Sequence, residues 1–506
     1  MFDAHRRTFL NGSAGCALAA LMPAAKAQAR VVTRPALHTA AGREMLIIYA
    51  KAVGAMMDSS KYPEGDPRSW TFQWYTHMVR GDRTKDAELQ RIYSANGTHR
   101  ELAKLMWNTC EAHLDARREP FFLPWHRLYL LAFEDIVRVV SGRADFALPY
   151  WDYTDPDLSR RALPEAFRSP KHPILKHLFR PNRNPGVNQG QPIDQPAGSR
   201  APLSLDFMKS VDYNESEEDA GFCANIDGTL HGAVHTNVGN RIGMGRVAWA
   251  ADDPIFWVHH CNIDRAWASW NRAGGVNPTD PQFLNEEFTF AGPTGEPLRR
   301  KAGEAVQMQD YQYDFYIGAD PIPATKPLLV TNRAVARASA RDINLSTATR
   351  QVKLESGATQ VGDRPTLVAA PLKIDPEKPA YLKMEGLSAD RGAPAYDVHL
   401  AAMSSVTKRR SAPSYVGTIN FFGAESAHSG QGDAHGGGHS AGHGGGQDEG
   451  SAAAGAAGRS VSFQLSKALK QQLSQSGLAP YVTFVPLSGG AKDAKPRIRQ
   501  ILVSGS

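Results

Sequence analysis

"DGTLHGAVH" (227–235) and "DDPIFWVHHCNIDRAW" (252–267) hold four histidines in two short windows, and their spacing decides the fold around them. Residues four apart on a helix lie one above the other, so His231 and His235 aim two imidazoles at one point, a metal-ligand geometry. In the second window Asp252 or Asp253 is placed to cap a helix that Pro254 begins, which puts His259 and His260 one to two turns inside it. Neighbours on a helix diverge by about 100°, so only one of these two is expected to share a metal with the first pair. Three neutral imidazoles without a thiolate suit copper, zinc or nickel.

A second cluster lies upstream. In "FFLPWHRLYLLAFE" (121–134) Pro124 can start a helix whose apolar run continues to Val140 and stops at "SGR", with His126 in the first turn. His113 in "NTCEAHLDARREP" (108–120) and His77 in "DPRSWTFQWYTHMVRG" (66–81) precede it. Two histidine triads, each ending at the start of an amphipathic helix, predict two metals held between facing helices of a bundle.

These motifs resemble the type 3 copper proteins: tyrosinases, catechol oxidases and other polyphenol oxidases, and hemocyanins. F-L-P-W-H-R-x-x-L-x-x-x-E and D-P-x-F-W-x-H-H-x-x-x-D both occur, in that order, with H-x-x-x-H just before the second. The segment 66–77 is also similar to the approach to the first ligand in plant polyphenol oxidases, and Tyr311 and Tyr313 form a Y-x-Y like the one closing their central domain. The similarity covers roughly 62–313. It implies a first copper on His77, His113 and His126 and a second on His231, His235 and His260, with His259 a neighbour. His113 stands thirteen residues before His126, where the family's spacing is about nine, so an insertion is implied there.

What else the resemblance implies follows the same positions. Gly232 follows the first ligand of the second copper, where monophenol-hydroxylating bacterial relatives often carry Asn. Asp227 is the nearest acidic residue for a water that deprotonates monophenols, and Val247 stands at the gate position. Asp264, with Arg265 and Glu134 behind it, is the candidate for holding an imidazole in one tautomer. Some members link a cysteine to the second ligand of the first copper through a thioether. Here Cys110 and His113 are spaced C-x-x-H against the fungal C-x-H, so that link, a Cys110–Cys223 disulfide and three buried thiols all stay open, with Cys261 read as a packing residue.

The chemistry implied is oxidation of o-diphenols (catechols, o-aminophenols) to o-quinones by O2, with ortho-hydroxylation of monophenols left open. Two Cu(I) ions side by side can give O2 two electrons together, and neutral ligands leave a positive local charge that favours phenolate. Two other classes share the histidines. A hemocyanin-like oxygen carrier would block phenol access, and a zinc hydrolase would lack the double triad.

The rest of the chain fits an exported metalloenzyme. Its 506 residues allow two or three domains, with 42% hydrophobic residues and a mean hydropathy of −0.39. "HRRTFL" (5–10), an apolar stretch at 16–22 and "AQA" before Arg30 read as a twin-arginine signal over 1–29, implying the twin-arginine export machinery as a partner and a periplasmic or secreted enzyme. That stretch is far shorter than the roughly 20 residues of a membrane span, so no stable membrane insertion is expected. The net charge of +6 and pI near 9.0 come from scattered Lys and Arg, which argues against nucleic acid. A separate protein delivering copper remains open.

The expected architecture is a mainly α four-helix-bundle dicopper domain with long loops over 30–317, a linker over 318–327, and a β-sandwich-like domain over 328–506. The strands are expected in "AYDVHLAAM", "PSYVGTINFF", "SVSFQLS", "YVTFVPL" and "RIRQILVSG", with one helix in "SKALKQQLSQSG". An insertion at 426–458 carries His428, His435, His439 and His443 among Gly, Ala and Ser. Its composition cannot bury a core, so it is expected to be disordered, as a flexible loop or a transient copper carrier. C-terminal domains of the family often cover the copper site, which implies a shielding role, and the sequence identifies no plug residue.

Overall fold

Two buried helices carry the core, and each starts beside a proline. Ile255–Arg272 has Pro254 as its cap residue, and Asp253 Oδ1 accepts from the Ile255 amide at 3.2 Å. Phe122–Ser141 begins two residues before the expected Pro124, out of a 3-10 turn, Ala116–Phe121. A proline fits inside the first turn because amides there have no partner within the helix. Gly142, at φ 68°, ends it in the left-handed conformation that a glycine adopts without a Cβ clash. This is a computed structural model describing residues 31–111, 116–217, 219–240, 242–307, 311–318, 334–356, 372–390, 392–404, 411–424, 458–475, 478–487, 490–491 and 493–505. The signal with Cys16, His113, nearly all of the linker and nearly all of the histidine-rich insertion lie outside the described residues. Among the described residues no helix is long and apolar enough to cross a membrane.

The two helices meet along aromatic faces, with Phe133 stacked on Trp257 at 3.6 Å and Tyr129 against Trp257 at 4.6 Å. Ala40–Met56 covers their far side through Tyr49, edge-on to Phe133. Trp70–His77, capped by Ser69, and Gly232–Val238 complete the frame. The Y-x-Y segment has a structural role: Tyr311–Tyr313 pairs in parallel with Val32–Arg34, opposing Arg34 to Tyr313.

Arg34, fully buried, forks onto Glu134 at 2.8 and 3.1 Å and onto Asp264 at 2.9 Å. Asp264 also accepts from Arg127 and the Tyr313 hydroxyl. Breaking a buried pair on one side strands the other charge and costs about 3–5 kcal/mol. Glu134→Gln is therefore expected to lower unfolding stability by about that much in urea titration, and an unchanged midpoint would refute this account. Burial pushes the Asp264 carboxyl up, and the Arg127 and Arg34 guanidiniums outweigh it, holding it below the usual carboxylate range. A carboxyl lowered on folding stabilises fully above its unfolded pKa, and that stabilisation fades as pH falls through the folded pKa. Acid unfolding should therefore be shallower in Asp264→Asn than in wild type.

The C-terminal domain is one twisted sheet. It runs from Ser414–Ile419 through Tyr396–Ser404, Leu478–Pro486, Arg350–Ser356, Ala334–Ala338, Arg497–Ser504 and Tyr381–Ser388 to Arg459–Gln464, with Ile343–Asn344 beside Arg497–Ser504. The two end strands approach, since a Cβ on Gly417 would lie 2.2 Å from the Phe463 ring, so the sheet is nearly closed. All five expected strands are present, and Lys467–Leu473 is the expected helix, capped by Ser466. The strands from Ala334 to Ser388 were not expected; "YLKMEGLS" (381–388) is buried on both faces along most of its length, so it lacks the alternation of a half-exposed strand.

Candidate dinuclear metal centre

Six of the predicted site histidines are described, all buried, and they converge at the ends of the framing helices. His77 ends Trp70–His77, His126 lies in the first turns of Phe122–Ser141, and His259 and His260 sit early in Ile255–Arg272. His231 closes a π-helical turn, Asp227–His231, that leads directly into Gly232–Val238, which carries His235. Donor atoms of His231, His235, His259 and His260 all lie within 4.8 Å of one another, and those of His77, Cys110 and His126 form a second such group. The groups abut: His126 and His260 stack at 4.3 Å and 6°. Phe122 and Phe256 wall the space, at 4.6 Å from His126 and 4.2 Å from His260.

Four of the six rings are oriented by a specific carboxylate or backbone partner. His126 Nδ1 donates to the Phe122 carbonyl at 2.7 Å and His235 Nδ1 to the Met244 carbonyl at 2.7 Å. A carbonyl only accepts, so the proton sits on Nδ1 and the Nε2 lone pair faces inward. His231 Nδ1 meets Asp227 Oδ1 at 2.6 Å, and the Val247 backbone hydrogen-bonds His77. Burial lowers all six pKa values, to about 3 for His126 and His231, and well below the usual value for His77, His235, His259 and His260. The rings are therefore neutral donors.

The donor chemistry fits metal. The Nε2 of His235 and both ring nitrogens of His260 are buried without a hydrogen-bond partner among the described residues, a costly state that a coordinated ion relieves. Nitrogen donors of this kind suit copper and zinc.

Donor atoms of both His259 and His260 lie within reach of the His231–His235 pair. His259 is distinguished by its Nδ1, 2.7 Å from the Tyr153 hydroxyl. Asp264 serves Arg34, Arg127 and Tyr313 and, among the described residues, holds no imidazole, Glu134 bonds Arg34 and the Leu148 amide, and Arg265 bonds Asp152. The groups that orient rings are instead Asp227 and the backbone of Phe122, Met244 and Val247, and backbone acceptors are not revealed by side-chain identity. Cys110 Sγ lies 3.6 Å from His126 Nε2, and Cys110, Cys223 and Cys261 are buried with no disulfide among the described residues; the expected partner His113 lies outside the described residues.

The C-terminal domain enters this site. Phe422 stacks on His235 at 4.0 Å and 9° and stands edge-on to His231 at 5.5 Å. Asn420 donates to the Gly228 carbonyl at 2.7 Å, and a Cβ on Gly232 would lie 2.1 Å from Asn420 Oδ1. The substrate-control position Gly232 is thus also where the sheet domain makes close approach. Arg459 pairs with Asp227 and donates to the Phe422 carbonyl. The Ser462 amide donates to Asn225 at 2.9 Å, and its hydroxyl donates to the buried Asp219. Sequence reading missed Phe422. The signal was the doublet Phe421–Phe422 just past a strand: Phe421 packs in the sheet core and Phe422 in the helical core.

Comparison with known proteins gives concordant results. A family profile described as the common central domain of tyrosinase matches residues 67–201 and 189–273. Tyrosinase HcTyr1 of Hahella sp. (strain CCB-MM4) is 27% identical over 404 residues, spanning 75% of this chain and 83% of that one. The chloroplastic polyphenol oxidase of Malus domestica is 25% identical over 413 residues, covering 74% of this chain and 65% of that one. Among solved structures, latent apple tyrosinase superposes with TM-score 0.59 at 19% identity, covering 94% of this chain and 98% of that one. A recombinantly expressed latent aurone synthase (polyphenol oxidase) gives 0.58 at 17%, covering 95% and 90%. At these identities the structural matches show a shared fold of helical core and C-terminal sheet domain.

Proposed function

Since the chain belongs to the type 3 copper family and is a copper polyphenol oxidase, we propose that it oxidises o-diphenols, catechols and o-aminophenols, to o-quinones with O2, and that its C-terminal domain keeps it latent. The observation that carries the substrate reading is the pair of abutting imidazole groups joined through the His126–His260 stack. In this reading His77 and His126, with His113, hold the first copper, and His231, His235 and His260 the second. When bound, the coppers supply two-electron exchange with O2 and Lewis acidity toward a phenol oxygen.

The residues do the rest. With copper bound, neutral imidazoles would leave the metal charge undiminished, which would favour the phenolate form of an incoming phenol. Phe122 and Phe256 exclude water, and Val247, 9% exposed, leaves a small side chain at the gate. Diphenol oxidation is favoured over monophenol hydroxylation because Asp227, the candidate for holding a deprotonating water, is committed to the His231 ring within the helical domain. Latency is supported by Phe422, whose ring occupies the face of His235.

Metal analysis should find two coppers per chain and a strong near-ultraviolet absorption that appears with oxygen. 4-tert-Butylcatechol should be oxidised rapidly after limited proteolysis has removed the sheet domain, and slowly before. A protein holding zinc alone, or copper without quinone formation after trimming, would overturn the reading. Export by the twin-arginine route belongs to the same proposal, and changing Arg6 and Arg7 together to Lys should retain the protein inside the cell.

A further inference from the structure

We propose that Arg459, carried by the C-terminal sheet domain, is a positioning residue for the second copper: it fixes Asp227 and, through Asp227, the His231 ring, while the same guanidinium holds the backbone of Phe422. The inference rests on the reading of His231 as a copper ligand. Asp227 and His231 are completely buried. The carboxylate spends Oδ1 on His231 Nδ1 and turns Oδ2 to Arg459. Among the described residues Arg459 is the one cation paired with Asp227. Among the described residues the helical domain itself supplies no Lys or Arg counter-charge to this carboxylate. A buried carboxylate requires one.

The local strand geometry aims Arg459 at this task. Along Arg459–Gln464, Val461 and Phe463 point into the sheet core, while Ser462 on the opposite face bonds Asn225 and Asp219 of the helical domain. Strict alternation would put Arg459 with Val461, inside the sheet. The pairing with Tyr381–Ser388 shifts register between Arg459 and Val461, and a bulge re-aims the side chain before it. Arg459 accordingly points out of the sheet, 5% exposed, with one nitrogen on Asp227 and another on the Phe422 carbonyl. Departure of the sheet domain therefore removes the plug and the brace on a copper ligand together, which links latency to metal retention.

The test uses the full, copper-loaded chain and measures copper loss to excess EDTA by metal analysis, together with decay of the near-ultraviolet band. Partners one step behind a metal ligand typically contribute 10–100-fold in metal affinity. Arg459→Gln should release the second copper about 10-fold faster, with Arg459→Lys in between and still folded if the glutamine variant is not. Ser462→Ala, which loosens docking without touching Asp227, should retain copper as wild type does. The decisive comparison is Asp227→Asn: the Arg459→Gln effect should vanish in that background, because the path runs through the carboxylate. Additive effects, or copper retention unchanged in Arg459→Gln, would overturn the inference. A wild-type chain that never holds two coppers would instead overturn the functional reading beneath it, so the two failures are distinct.

Discussion

Replacing Phe422 by alanine should raise catechol oxidation by the untrimmed chain about 100-fold. Burying a phenylalanine side chain is worth about 1.5–3 kcal/mol, and an aromatic stack adds about 0.5–1.5 kcal/mol. A substrate ring that must displace Phe422 from His235 works against both. At about 1.4 kcal/mol per tenfold, relief of that competition corresponds to roughly two decades. Arg459, Asn420 and Ser462 still dock the sheet domain in this variant, so proteolytic trimming should activate further by opening the approach. Kinetics on 4-tert-butylcatechol before and after trimming provide the measurement. If trimming activates wild type while Phe422→Ala stays as slow as untrimmed wild type, the block lies elsewhere in the sheet domain.

His235→Ala should have the opposite effect and a larger one. In the proposed ligand set this ring is one of three imidazoles on the second copper and the first group is left intact, so one copper per chain should remain. Oxidation should fall by on the order of 10³-fold, because losing several kcal/mol of metal stabilisation costs a decade per 1.36 kcal/mol. The near-ultraviolet band should vanish with it, since it requires both ions. Two coppers retained with normal turnover would remove His235 from the centre. Phe422 loses its stacking partner in the same variant, so the measurement should be made on the trimmed chain.

Particular residues show where sequence reading succeeded. His231 and His235, His126 in its proline-started helix, and His259–His260 beyond Asp253 and Pro254 were legible because helical period and capping chemistry act over a few residues. The five expected strands were legible for a similar reason, through alternation. The orienting groups were less so. Two are carbonyls, of Phe122 and Met244, and every residue carries one. Asp264 illustrates the converse error: it lies four residues after His260, yet its partners Arg34, Arg127 and Tyr313 come from three distant segments.

The sequence by itself determined the two histidine clusters, their helices and the division into a helical domain and a sheet domain, since periodicity, proline and capping residues are local properties written along the chain. Only the tertiary structure decided how Arg34 is balanced and that Phe422 and Arg459 reach the histidine centre. Those contacts join residues about 100 to 280 positions apart, and at such separations side-chain chemistry is set by packing between domains, which no local pattern encodes.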